Sequence, residues 1–194
     1  MKNKKNIAIA ISVIVILIGI GVVIYTNIKF KPENDSFSKQ MSETLKTTYP
    51  TTIYIYGEDI QFEYPVNKVN LEKVDGFLNS GSSDYNMIII NDINNTVELS
   101  DADIEYVDKF IHFEHNYLLC LGKKYNDTWK PEDILDITMQ GNLSQGYYYD
   151  GTKLQGNIGA LRESDMSMIN DDPCKLGEIV FGELDMYFKL ISED

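Results

Sequence analysis

The sequence predicts an α/β domain, and three observations carry that prediction. Runs of β-branched, aliphatic and aromatic residues at 51–57, 87–92 and 117–122 read as strands. Two of them, Met87-Ile88-Ile89-Ile90-Asn91-Asp92 and Tyr117-Leu118-Leu119-Cys120-Leu121-Gly122, are continuously apolar at their centres, as strands covered on both faces of a parallel sheet are. Between these two, Ile104, Val107, Phe110 and Ile111 repeat at helical spacing, so strand and helix alternate as βαβ crossovers require.

Composition agrees with one folded domain. Of 194 residues 43% are hydrophobic, and 13 Tyr with 8 Phe are too many for a disordered chain. Two cysteines, Cys120 and Cys174, exclude a disulfide-dense scaffold and any four-thiolate metal site. Whether they pair is open, because sequence does not report the distance between them.

The N-terminal part reads differently. Ile7 to Ile24 contains no charge, and only Ser12, Gly19 and Gly21 interrupt its aliphatic residues. At about 1.5 Å per residue such a helix reaches about 27 Å, close to the ~30 Å hydrocarbon layer. The run exceeds the usual signal-peptide core and ends in Val22-Val23-Ile24-Tyr25 without a small-x-small cleavage site, which favours an uncleaved anchor. Lys2, Lys4 and Lys5 precede it, against Lys29 and Lys31 after it, which predicts a cytoplasmic N-terminus and an extracytoplasmic C-terminal part. From Glu33 onward twelve Lys and Arg face thirty Asp and Glu, a net charge of −18. So acidic a body excludes nucleic acid or anionic lipid as the partner of a basic patch. The predicted organisation is a cytoplasmic segment 1–6, a membrane helix 7–25, a stalk 26–48 that turns helical from Ser38 to Leu45, and a domain 49–194.

Within the domain, Thr51 to Gly57 is the first strand, stopped by glycine. Leu71, Val74, Phe77 and Leu78 at helical spacing predict a short helix ending near Gly81. Met87 to Asp92 is the second strand. Ser100 and Asp103 form a capping-box pattern ahead of the Ile104–Ile111 stripe, and Tyr117 to Gly122 is the third strand. Trp129 to Ile137 is weakly helical around Pro131, and Gly146 to Gly151 suggests a hairpin with an Asp-Gly turn. Asp172 as cap and Pro173 as first helical residue introduce Val180, Leu184, Tyr187, Phe188 and Ile191, although Gly177 and Gly182 leave open a strand starting near Glu178. The expected architecture is therefore a three-layer, Rossmann-like or flavodoxin-like domain with a mainly parallel sheet.

Met87 to Asp92, then Leu99-Ser100-Asp101-Ala102-Asp103-Ile104, then Leu118 to Gly122 form a pattern that resembles the extracytoplasmic Rossmann-like domains related to class I glutamine amidotransferases. The likeness covers residues 51–122. It implies a membrane-anchored α/β scaffold, associated in such relatives with transport systems, and it offers Cys120 as the counterpart of the nucleophile. The family's elbow is Gly-x-Cys-x-Gly. Here Leu118 replaces the first glycine, and the only histidines, His112 and His115, precede the cysteine instead of following it. The resemblance thus implies a catalytically incomplete member, with Cys120 as an ordinary strand cysteine.

Other candidate sites are few. His112 and His115 flank Glu114 at a helix end, where imidazoles are also favoured by the helix dipole; as metal ligands they lack the His-Glu-x-x-His spacing. Asp150, Asp165, Asp171 and Asp172 lie in loop-like sequence and could offer oxygens to Ca²⁺, but without an EF-hand register. No glycine-rich loop follows a strand, and Glu58 and Asp59 after Gly57 would repel a phosphate. No cofactor is expected. The aromatic run Tyr147, Tyr148 and Tyr149, with Trp129 and Tyr125 near it, is the candidate binding surface, set against a half-buried hairpin whose alternate rings face the core. The expected function is a non-catalytic binding or accessory domain held at the cell membrane, with a membrane or envelope protein as partner. An amidotransferase-like hydrolase using Cys120 and a ligand sensor coupled through the membrane helix are the alternatives.

Overall fold

The computed structural model describes residues 33–74, 84–130 and 141–192. The expected membrane helix at 7–25 lies outside them, and among the described residues no helix is long and apolar enough to cross a membrane. The described residues from Ser38 onward belong to one compact unit.

The described elements are helix α1 (Glu33–Thr47), strands β1 (Thr51–Gly57), β2 (Lys68–Leu71) and β3 (Tyr85–Asn91), helix α2 (Asp101–Ile111), strands β4 (Asn116–Leu121), β5 (Ser144–Tyr149) and β6 (Leu154–Ile158), a 3₁₀ turn (Glu163–Asp165), and helices α3 (Met166–Asp171) and α4 (Cys174–Ser192). The strands form one sheet in the order β2-β1-β3-β4-β5-β6. Pairings among β2, β1, β3 and β4 are parallel, and the β5–β6 hairpin closes that side antiparallel. The result is an α/β domain with a mixed, mostly parallel sheet.

Register explains the two cores. Tyr54, Ile88, Leu118 and Tyr147 stand in one cross-strand row, and Ile90 and Cys120 in the next row on the same face. Val107, Phe110 and Ile111 of α2 cover this face and are fully buried. Strand alternation sends Ile53, Met87, Tyr117 and Tyr148 to the opposite face, where Tyr187 of α4 stacks on Tyr117 with ring centroids 4.8 Å apart and meets Tyr148 edge-on. In α1, Ser38, Met41, Ser42 and Leu45 are buried, so the chain ahead of Tyr49 already packs with the domain.

Local signals account for most elements. The capping box is present as expected: Ser100 Oγ accepts from the Asp103 N–H, and the Ser100 N–H donates to Asp103 Oδ2 at 2.8 Å. The hairpin turns at Gly151 and Thr152, where Asp150 Oδ1 accepts from the N–H groups of Thr152 and Lys153 and Gly151 has φ +88°. The Gln155 amide and the Thr152 hydroxyl, with those two N–H groups, hold the Asp150 carboxyl well below the usual range. Asp172 Oδ1 accepts from the Cys174 N–H and so starts α4, which runs through Glu178 as helix.

Two expectations are corrected. Leu71 does not open a helix; it ends β2, a short edge strand with the pattern Lys-Val-Asn-Leu, whose middle residues Val69 and Asn70 are exposed and whose pairing comes from β1. Phe77, Leu78 and Gly81 lie outside the described residues, as does most of the helix expected at Trp129–Ile137. Asp165 and Asp171 belong to the 3₁₀ turn and α3, so that stretch is helical and not loop.

Glycine is required at two strand ends. Gly57 (φ +104°) would drive a Cβ into the Asn91 carbonyl oxygen, and Gly122 (φ +99°) would drive one into that of Asp92. Gly182 in α4 has open space around it. Gly57→Ala or Gly122→Ala should therefore lower unfolding free energy by about 1–3 kcal/mol or more, whereas Gly182→Ala should raise it by roughly 0.5–1 kcal/mol. Urea denaturation of the three variants checks both signs.

Candidate functional site

Parallel strands β1, β3 and β4 end at one edge of the sheet. The order reverses between β1 and β3, since β2 lies on one side of β1 and β3 on the other, which makes this pair the topological switch point where α/β sheets open a crevice. A crevice of about 170 Å³ lies there, between the segment Glu58–Gln61 after β1, Asn91–Asn94 after β3, and α3 with the start of α4.

Its polar geometry starts from Asn91, the last residue of β3, which is 2% exposed. Asn91 Nδ2 donates to the Glu58 carbonyl oxygen at 2.9 Å, tying the β3 end to the β1 end. That bond fixes the amide orientation and leaves Oδ1, itself buried, without a hydrogen-bond partner among the described residues. Asn94 Nδ2 donates to Glu58 Oε2 at 2.7 Å. Asp59 is paired with Lys68 at 2.6 Å; burial opposes its charge, but the Lys68 bond and charge prevail and keep its carboxyl below the usual range. Beside Asn91, buried Asp92 accepts the Val97 N–H through Oδ1 at 2.8 Å, and its Oδ2 has no partner among the described residues. Ile60, Ile93, Met166, Ile169, Pro173 and Leu176 complete an apolar wall.

A second polar cluster lies where α4 crosses β5. Glu183 is fully buried; its Oε1 accepts from the Ala160 N–H and from Ser144 Oγ, and Ser144 Oγ in turn accepts the Leu161 N–H at 3.0 Å. Gly159 makes room for this cluster, since a Cβ there would run into the Ser144 hydroxyl. Burial pushes the Glu183 carboxyl above its ordinary value of 4.5, outweighing the hydrogen bonds from Ala160, Ser144 and Tyr117. Sequence reading missed Glu183, although it sits three residues after Val180 and seven after Leu176, on the buried stripe of α4.

The candidates read from the sequence do not converge. Cys120 lies inside β4, paired with Ile90 and Gln145 and buried in the core, which drives its thiol far above the ordinary range. Cys174 is half-buried at the start of α4, and both cysteines are free. His112 and His115 are exposed at the opposite edge of the sheet, ahead of β4; His112 Nδ1 contacts the Asp108 carbonyl oxygen, and the His115 ring meets Tyr85 edge-on. Asp171 and Asp172 are exposed at the α3–α4 junction. Among the described residues no three His, Cys, Asp or Glu side chains come together in a way that could hold a metal ion.

Of the aromatic run, Tyr147 is buried against α2 and donates its hydroxyl to the Asn126 carbonyl, while Tyr148 and Tyr149 are half-buried on alternate faces. Trp129 is buried, with Nε1 3.4 Å from the Ile104 carbonyl oxygen. The switch-point residues Glu58, Asn91 and Asn94 were not singled out together from the sequence, except that Glu58 and Asp59 marked this strand end as hostile to phosphate. Comparison with protein-family models, curated proteins and solved structures finds no match.

Glu183 gives a pH test. Its raised folded-state pKa means that, above the ordinary 4.5, the folded chain binds more protons than the unfolded one, so this group's contribution to stability is lost as pH rises through the raised value. Glu183→Gln keeps an oxygen acceptor for Ala160 and cannot ionise, so it should remove that part of the decline. Urea unfolding of both proteins at several pH values checks it; parallel curves would contradict the assignment.

Proposed function

We propose that this chain is a membrane-anchored, extracytoplasmic binding or accessory domain on a three-layer Rossmann-like scaffold, working beside a membrane or envelope protein rather than as an enzyme. The observation that carries the binding reading is Asn91: a buried amide lining the switch-point crevice whose side-chain oxygen has no hydrogen-bond partner among the described residues. The uncharged run at 7–24, the lysines ahead of it and the acidic body after it support the anchor and its orientation. The resemblance to the amidotransferase-like domains supports the scaffold. It does not extend to their chemistry, because a thiol held within β4 and deprived of solvent is a poor nucleophile.

Two measurements on the full-length chain test this reading. In intact cells, added protease should degrade the domain while leaving the N-terminal segment protected; protection of the domain would overturn the orientation. In detergent, a thiol reagent should label Cys174 in the native protein and Cys120 only after unfolding, as read by peptide mass. Rapid native labelling of Cys120 would favour the hydrolase reading instead.

A further inference from the structure

The helices packed on this sheet are not held alike. Helix α1 buries Ser38, Met41, Ser42 and Leu45, α2 buries Val107, Phe110 and Ile111, and α4 is buried along its length from Leu176 to Phe188. Helix α3 buries no residue, and neither does the 3₁₀ turn ahead of it. From Leu161 to Leu176, both buried, every residue in between is at least partly exposed. Yet α3 forms one wall of the switch-point crevice, through Met166, Ile169 and Asn170.

Both ends of this stretch are fixed. On one side the Leu161 N–H donates to Ser144 Oγ at 3.0 Å, its carbonyl accepts from the Leu143 N–H at 2.9 Å, and the Glu163 N–H donates to the Gly141 carbonyl at 2.8 Å. On the other, Gly177 lies so close to the Gln61 carbonyl that a Cβ would strike it. The residues between, 164–173, bond only locally. Asp165 takes the Arg162 N–H with its carboxylate, the Asp172 N–H donates to the Met168 carbonyl, and Asp172 takes the Cys174 N–H. Among the described residues no hydrogen bond or ion pair joins 164–173 to anything beyond 162–175. What presses α3 to the domain is the partial burial of Met166 and Ile169. A segment with fixed ends, bonds of its own and little buried surface opens locally at a lower cost than the whole domain.

We propose that 164–173, with α3 at its centre, is a lid on the switch-point crevice. It lies against the crevice in the structure and swings outward as one arm between Leu161–Glu163 and Leu176, uncovering the ends of β1 and β3 to admit a ligand. The lid deepens the binding reading above and rests on it for its purpose, whereas its motion is measured without any ligand.

Two measurements on the full-length chain in detergent micelles test it. In hydrogen exchange read by mass, peptides covering 164–173 should exchange at least about tenfold faster than those covering 178–188 of α4. Gly182→Ala, a substitution with open space around it, should slow exchange in α4 and leave 164–173 unchanged. In the second, spin labels are placed by Met168→Cys and Val69→Cys, both at exposed positions, with Cys174→Ser and with Cys120 buried and unlabelled. Pulsed electron resonance should find two distances. Replacing the half-buried underside by Met166→Gln with Ile169→Gln should shift the population toward one of them by about fivefold, with an unchanged circular dichroism spectrum. Exchange in 164–173 as slow as in α4, and slowed alike by Gly182→Ala, would mean that the stretch opens only with the whole domain and would overturn the lid. A single narrow distance would overturn it too, as would a single broad one with unprotected exchange, which describes a loose loop. Rapid native labelling of Cys120 would count against the non-catalytic reading alone, so the two failures are distinguishable.

Discussion

The end of β3 is gripped from both sides, and the rest of the domain is arranged around that grip. Gly57 of β1 passes over the Asn91 carbonyl, and Gly122 after β4 passes over that of Asp92, each at a positive φ that leaves no room for a side chain. The Asp92 N–H donates to the Leu121 carbonyl, and the Gly122 N–H donates on to Leu143 at 2.7 Å, so the same edge reaches the β5–β6 hairpin. Because three strands stop together here, Asn91, Asp92 and the segment after β1 are drawn into one small volume. The crevice is what remains between them and α3.

The two faces of the sheet then do different work. The α2 face is an apolar interior in which Ile88, Ile90, Leu118 and Cys120 meet Val107, Phe110 and Ile111; polar contact is confined to its rim, where Tyr125 and Trp129 reach backbone carbonyls. The α4 face mixes stacked tyrosines with a buried carboxyl. Glu183 there ties α4 to the turn after β6 through the Ala160 N–H, and to β5 through Ser144. A leucine at this position would fill the volume but leave that N–H unsatisfied, which gives a physical reason for an acid on the apolar stripe. Elsewhere acidic side chains stay at the surface, in pairs such as exposed Lys109–Glu105 and the half-buried Asp185 with Lys189, which are worth little individually.

Much of the fold was legible because its signals are local. Three strands follow from apolar runs closed by Gly57, Asn91-Asp92 and Gly122; α2 follows from the Ser100–Asp103 box and its stripe; the hairpin follows from Asp150-Gly151; and α4 follows from Asp172-Pro173. Strand β2 was not legible. Four residues with two polar members carry no strand signal of their own, and they become a strand only because Ile53 to Tyr56 offer an edge in register. Leu71 stands three residues before Val74, which reads as helical spacing, but its pairing with Tyr56 makes it the last residue of β2. The alternation of Tyr147, Tyr148 and Tyr149 between faces was readable as a possibility, but which residues turn inward depends on pairing with β4.

The sequence by itself determined the α/β class, the strand ends, the helix caps and the charge, because each is written in neighbouring residues or in composition. It also disfavoured a phosphate site, by placing Glu58 and Asp59 where a glycine-rich loop would have to be. Only the tertiary structure decided that Glu58, Asn91 and Asn94, more than thirty residues apart across the first gap, share one crevice, and that the Asn91 side-chain oxygen has no partner among the described residues. Strand order is the reason: local patterns specify that strands form, whereas which strand lies beside which, and hence which side chains converge at the carboxyl edge, is set by long-range pairing that those patterns do not encode.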